Sequence, residues 1–183
     1  MKGYLKILSI FFAGAMLGGL VVYGVFVPKQ NGQESGKEAT ERLREASVAG
    51  VGQAVYRNDK RSFSLGYPKE LSVQEIDEGY GSETVLFTKP GQQTGFQLFI
   101  TPYNDTVITE ERIRTDVQGP TTDFLEVVIG ENIRAARFKS TTPSIGEATE
   151  VWFIRSGYLY EFTTYAAEDE VLAKVLSTLR FDE

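Results

Sequence analysis

The sequence predicts an α+β domain, an antiparallel β-sheet flanked by helices, preceded by a single transmembrane helix. Three observations carry that expectation. Twenty-one uncharged residues, Ile7 to Val27, follow a start whose charged side chains are Lys2 and Lys6. From Phe63 onward apolar residues recur mostly at the two-residue period of strands, with tight-turn residues between the runs. Near the C-terminus the period changes: Val171, Leu172, Val175, Leu176 and Leu179 fall on one face of a helix.

The apolar run is long enough to cross a hydrocarbon core of about 30 Å at about 1.5 Å per residue. Lysines ahead of it favour a cytoplasmic N-terminus, so Pro28 to Glu183 is expected on the far side of a cell membrane. Cleavage as a signal peptide, which would release a secreted protein, is the alternative. Its apolar region is normally shorter and ends in a small-x-small site. Here the run closes with Tyr23-Gly24-Val25-Phe26-Val27-Pro28, bulky where a peptidase needs small side chains, and a retained signal-anchor over residues 1–27 is expected. Gly14 and Gly18 form a GxxxG pattern that lets two such helices approach closely as a homodimer, although glycine is common in membrane helices.

Residues 28–55 are rich in Gly, Gln, Glu, Lys and Ala and read as a polar flexible tether, holding the domain on the order of 30 Å from the membrane. The domain is expected over residues 56–183. Phe63–Tyr67 alternates and stops at Pro68; Phe96–Thr101 does nearly the same and stops at Pro102; Glu83–Thr88 lies between them. Phe124–Ile129 and Ile133–Ser140 flank Gly130-Glu131-Asn132, and Glu147–Arg155 and Tyr158–Tyr165 flank Ser156-Gly157, connections that join antiparallel neighbours. Thr109 is placed to cap a short helix through Arg114 that ends by Gly119-Pro120. Glu168-Asp169-Glu170 supplies negative charge at the start of the second helix, and Arg180-Phe181 returns to extended chain. The expected core is Phe63, Leu65, Phe87, Leu98, Ile100, Trp152, Phe162, Leu172 and Leu176.

Composition removes whole classes of chemistry. The 183 residues include no cysteine and no histidine, which excludes disulfides, thiolate metal sites, the commonest general base and the commonest zinc ligand. Without Lys2 and Lys6 the 19 basic residues fall to 17 against 25 acidic ones, a net charge near −8 that disfavours nucleic acid as a partner. Gly32–Glu38 has the wrong glycine spacing for a phosphate-binding loop, and Glu38 stands where that loop needs Ser or Thr. Neither a G-x-S-x-G elbow nor an S-x-x-K dyad occurs. No catalytic, cofactor or metal residue is therefore assigned. Adjacent carboxylates at Asp77-Glu78, Glu110-Glu111 and Glu168-Asp169-Glu170 read as solvating or helix-starting groups. Calcium stays open, because Asp77, Glu78 and Asp105 offer hard oxygens. Three apolar side chains sit in turn-rich loops where binding residues collect: Tyr80 between two glycines, Tyr103 after Pro102, and Ile145 before Gly146.

Phe63-Ser64-Leu65-Gly66-Tyr67-Pro68, the hairpin around Ser156-Gly157, and Tyr158–Tyr165 followed by the helix to Leu179-Arg180-Phe181 resemble the PsbP-like family, named for an extrinsic subunit of the oxygen-evolving complex. The resemblance covers about Tyr56 to Phe181. It implies an antiparallel sheet sandwiched by helices (α/β/α) and a binding or assembly role without catalysis. The quoted residues are framework ones, so no functional residue of the family transfers by motif. The metal-linked roles of photosynthetic members involve histidine, absent here, and the resemblance thus points to a non-photosynthetic, membrane-anchored member. The expected function is a membrane-anchored, extracytoplasmic binding module for a protein or small ligand. The alternatives are an envelope-complex assembly factor acting through its anchor helix, and a hydrolase using carboxylates alone.

Overall fold

The computed structural model describes residues 53–92, 94–142 and 145–182. The expected anchor at 1–27, with Gly14 and Gly18, and all but the end of the tether lie outside the described residues. Among those described, no helix is long and apolar enough to cross a membrane. The elements in order are β1 (Gln53–Asn58), β2 (Phe63–Pro68), β3 (Ser72–Gly79), β4 (Ser82–Thr88), β5 (Gly95–Pro102), α1 (Glu110–Asp116), β6 (Thr121–Ile129), β7 (Ile133–Thr142), β8 (Gly146–Arg155), β9 (Tyr158–Tyr165), α2 (Asp169–Ser177) and β10 (Arg180–Phe181).

Every strand pairing is antiparallel, but the strands form two sheets where one was expected. A seven-stranded sheet runs β3-β4-β5-β9-β8-β7-β6, and a three-stranded sheet runs β1-β2-β10. The strand expected to open the single sheet, Phe63–Tyr67, belongs to the small one. The reason is in its burial: Phe63, Ser64, Leu65 and Gly66 are all buried, so β2 needs cover on both faces. Its Phe63 and Leu65 pack toward the large sheet, while the Gly66 N–H donates to Thr178 Oγ1 beyond α2 at 2.8 Å. The expected helix–sheet–helix sandwich is thus replaced on one face by a layer made of the small sheet together with α2.

Two strands were not foreseen. β1 starts at Gln53, before the domain start expected at Tyr56, and pairs along its full length with β2. β3 carries Glu75, Asp77 and Glu78, and of its apolar side chains Val73 and Ile76 are only half-buried, so it lacks the alternation that marks the inner strands. Other local expectations hold. Thr109 Oγ1 accepts from the Arg112 N–H at 3.1 Å and starts α1. Ser156 and Gly157, at φ 51° and 77°, make the two-residue turn between β8 and β9.

The nine expected core residues are all buried, and the large sheet sorts them by face. Toward α2 and the small sheet lie Phe63, Leu65, Phe87, Leu98, Ile100, Phe162, Leu172 and Leu176. Trp152 lies on the other face with Ile113 of α1, Phe138 and Leu159. Gly130 fixes how α2 approaches the β6–β7 turn: at φ 49° its N–H donates to Leu176 O at 3.0 Å, and a Cβ there would stand 2.5 Å from Leu179 O.

Candidate functional site

The structure separates the three loop residues singled out in the sequence. Tyr80 is fully exposed at the tip of the β3–β4 turn, at φ 52°. Tyr103 follows β5 at the same end of the sheet, where Gly81 lies so near Pro102 that a Cβ on it would meet Pro102 Cγ at 3.2 Å. Tyr103 is partly buried: its N–H donates to Gly157 O at 2.8 Å, its ring sits 5.4 Å from the Arg112 guanidinium, and burial raises its phenol pKa. Ile145 is half-buried in the β7–β8 turn. β8 runs from that turn to Arg155 at the Tyr103 end, so Ile145 stands at the opposite end of the sheet. Tyr80 and Tyr103 share an end, and Ile145 does not join them.

At the Tyr80 end, Arg61 has a structural role. Its guanidinium stacks 3.6 Å over the Tyr158 ring, Nε donates to Glu83 Oε1 at 3.0 Å, and Nη2 donates to Gly81 O at 2.7 Å. These bonds tie the β1–β2 turn to the β3–β4 turn. The open calcium question meets a similar arrangement. Asp77 Oδ1 accepts from the Gly79 N–H at 2.9 Å, whereas Glu78 Oε1 accepts from Thr84 Oγ1 at 2.8 Å. Among the described residues no three acidic side chains gather closely enough to hold a metal ion.

Glu150 is the carboxylate that sequence reasoning passed over. It sits on the α1 face of β8, only 6% exposed, and accepts from Ser140 Oγ at 2.9 Å, Thr163 Oγ1 at 2.7 Å and Trp152 Nε1 at 3.3 Å. Burial pushes its carboxyl up to about 7, against the opposing pull of those three donors. The available signal was its position: Ala148, Glu150 and Trp152 alternate along one side of a strand whose Val151, Phe153 and Ile154 are apolar.

An open apolar feature lies elsewhere. A groove of about 300 Å³ runs between α2 and the β6 edge of the large sheet, lined by Val127, Ile129, Val151, Leu172, Ala173 and Leu176, with the Arg137–Asp169 ion pair (2.7 Å) also lining it. β6 is the last strand of the sheet, so among the described residues one side of its backbone has no strand partner. Leu125 (55% exposed) and Val128 (66%) stand on opposite faces of this edge. Among the described residues the other exposed large apolar side chains are Tyr80 and Val107, so β6 is where exposure concentrates. Exposed apolar groups on an unpaired edge template further pairing. In the sequence Phe124–Ile129 reads as one arm of an antiparallel hairpin, and its place at the edge depends on strand order.

No protein-family model matches the chain, and no curated protein matches it. Among solved structures it is similar to the solution structure of cyanobacterial PsbP (CyanoP) from Synechocystis sp. PCC 6803. The identity is 10% over 73% of this chain and 95% of that one, with a TM-score of 0.48. The architecture described above rests on this chain's own strand order and register.

Proposed function

We propose that the chain presents a non-catalytic, PsbP-like binding module outside the cytoplasm, held at the membrane by Ile7–Val27, and that it binds a protein partner along β6. The observation that carries this reading is the unpaired β6 edge beside the apolar groove under α2. A partner that adds an extended segment there satisfies the free backbone groups and covers Leu125 and Val128, each burial contributing about 1.5–3 kcal/mol before ordering costs. The family term draws on the framework segments: Phe63–Pro68 is a strand, Ser156-Gly157 is a two-residue turn, and the last helix leads into Arg180-Phe181 as a strand. The carboxylate-hydrolase alternative gains nothing from Glu150, which lies on the α1 face, away from the groove on the α2 face.

A photoreactive residue at Val128 in the full chain in its membrane tests the binding surface, with Gln74 on β3 as the control edge. Adducts at position 128 and not at 74 are expected; equal labelling at both removes β6 as the binding surface. Mass spectrometry of the membrane-extracted chain tests the anchor. A mature N-terminus between Gly24 and Gly36 removes it.

A further inference from the structure

We infer that the partner at β6 is a second copy of this chain, the two β6 edges pairing antiparallel about a two-fold axis through Val127. The inference rests on the reading of β6 as a docking edge and names its occupant. β6 is interrupted by a register shift between Thr122 and Leu125, where Asp123 has φ 56°, and it ends at the Gly130 turn. The regular stretch between them is Leu125 to Ile129, and its middle residue is Val127. A two-fold pair must be centred on a residue if opposed side chains are to share a face. Centred on Val127, it places Val127 against itself and Leu125 against Ile129 on the α2 face, giving one continuous apolar strip across both copies.

Charge selects the same register. Glu126 would face Val128 of the second copy, and Val128 is paired on its inner side with Arg134. Within one chain Arg134 Nη1 already lies 3.5 Å from Glu126 Oε1, with both side chains mostly exposed. The pair can therefore exchange across the axis, twice by symmetry. Centring on Glu126 instead opposes two carboxylates directly, which is destabilising. Centring on Val128 moves Leu125 opposite Glu131, beyond the end of the strand. The β3 edge lacks this self-complementarity, since Glu75, Asp77 and Glu78 would meet their own kind.

The chain contains no cysteine, so a single introduced one reports on the register. Directly opposed residues have Cα atoms about 4.5–5.5 Å apart, within disulfide range, whereas residues offset by two positions are on the order of 8 Å apart, outside it. Full-length Val127→Cys in membranes under mild oxidation should form a covalent dimer at least tenfold faster than Val128→Cys or the β3 control Gln74→Cys. Chains carrying Leu125→Cys should link to co-expressed chains carrying Ile129→Cys. Adding Glu126→Arg should slow Val127→Cys linkage about tenfold, and adding Arg134→Glu to that variant should restore it. A Val127→Cys rate no higher than the controls overturns the inference. A Val127→Cys chain that links only to a different protein overturns the second copy yet keeps β6 as a binding edge; no adduct by either chemistry removes both.

Discussion

The two faces of the seven-stranded sheet are built on different principles. Toward α2 and the small sheet the packing is apolar and aromatic, with Phe87 stacked on Phe96 at 4.3 Å and Phe153 on Tyr160 at 4.8 Å. Toward α1 the apolar cluster is smaller, Ile113, Phe138, Trp152 and Leu159, and a carboxylate is buried beside it with three neutral donors. The first face is held chiefly by buried apolar area. On the second, stability depends on the protonation of one side chain, because a buried charge without a cation is costly.

The sharpest test of this contrast is to empty the aromatic face, where the largest effects are expected. Phe162→Ala, fully buried on the α2 face, should cost about 3–5 kcal/mol in denaturant unfolding, and Leu176→Ala about 2–5 kcal/mol. A loss below about 1 kcal/mol for Leu176→Ala would mean that α2 does not cover the sheet.

The α1 face should show itself in pH dependence. Glu150 has its carboxyl raised from 4.5 to about 7, so between those values the folded chain holds a proton that the unfolded chain releases. Its contribution is complete below the lower value and lost as pH rises through the upper one. The loss is on the order of 3 kcal/mol. Unfolding measured from pH 4.5 to 8 should show this decline, and Glu150→Gln should flatten it while Leu176→Ala leaves the slope unchanged. A slope that survives in Glu150→Gln assigns it to other groups.

The smallest effect concerns the cover itself. Thr109→Ala removes the cap of α1 and should cost about 1 kcal/mol. Hydrogen exchange should quicken in α1 and not in α2. Faster exchange in both helices would erase the distinction between the faces.

Residues with a local physical reason were legible in the sequence. Alternation placed Leu98 and Ile100 inside because a strand's side chains switch faces at every residue. Ser156-Gly157 announced a hairpin because few residue pairs accept two positive φ values. The same locality let Thr109 and the spacing of Leu172, Val175 and Leu176 define two helices. Of the loop residues, Tyr80 and Tyr103 were legible as turn positions, but nothing local could say that they share an end of the sheet while Ile145 stands at the other.

Strand order decided the remainder. Phe63–Tyr67 and Phe96–Thr101 carry nearly the same pattern, yet one lies in the small sheet and the other in the large one. Ala148, Glu150 and Trp152 became a buried polar site only when Ser140 and Thr163 arrived from the neighbouring strands. Val127 and Ile129 show the limit most plainly. Periodicity states that such residues have an apolar face, and only the assembled sheet determines whether a strand has neighbours on both sides or, like β6, one edge left open.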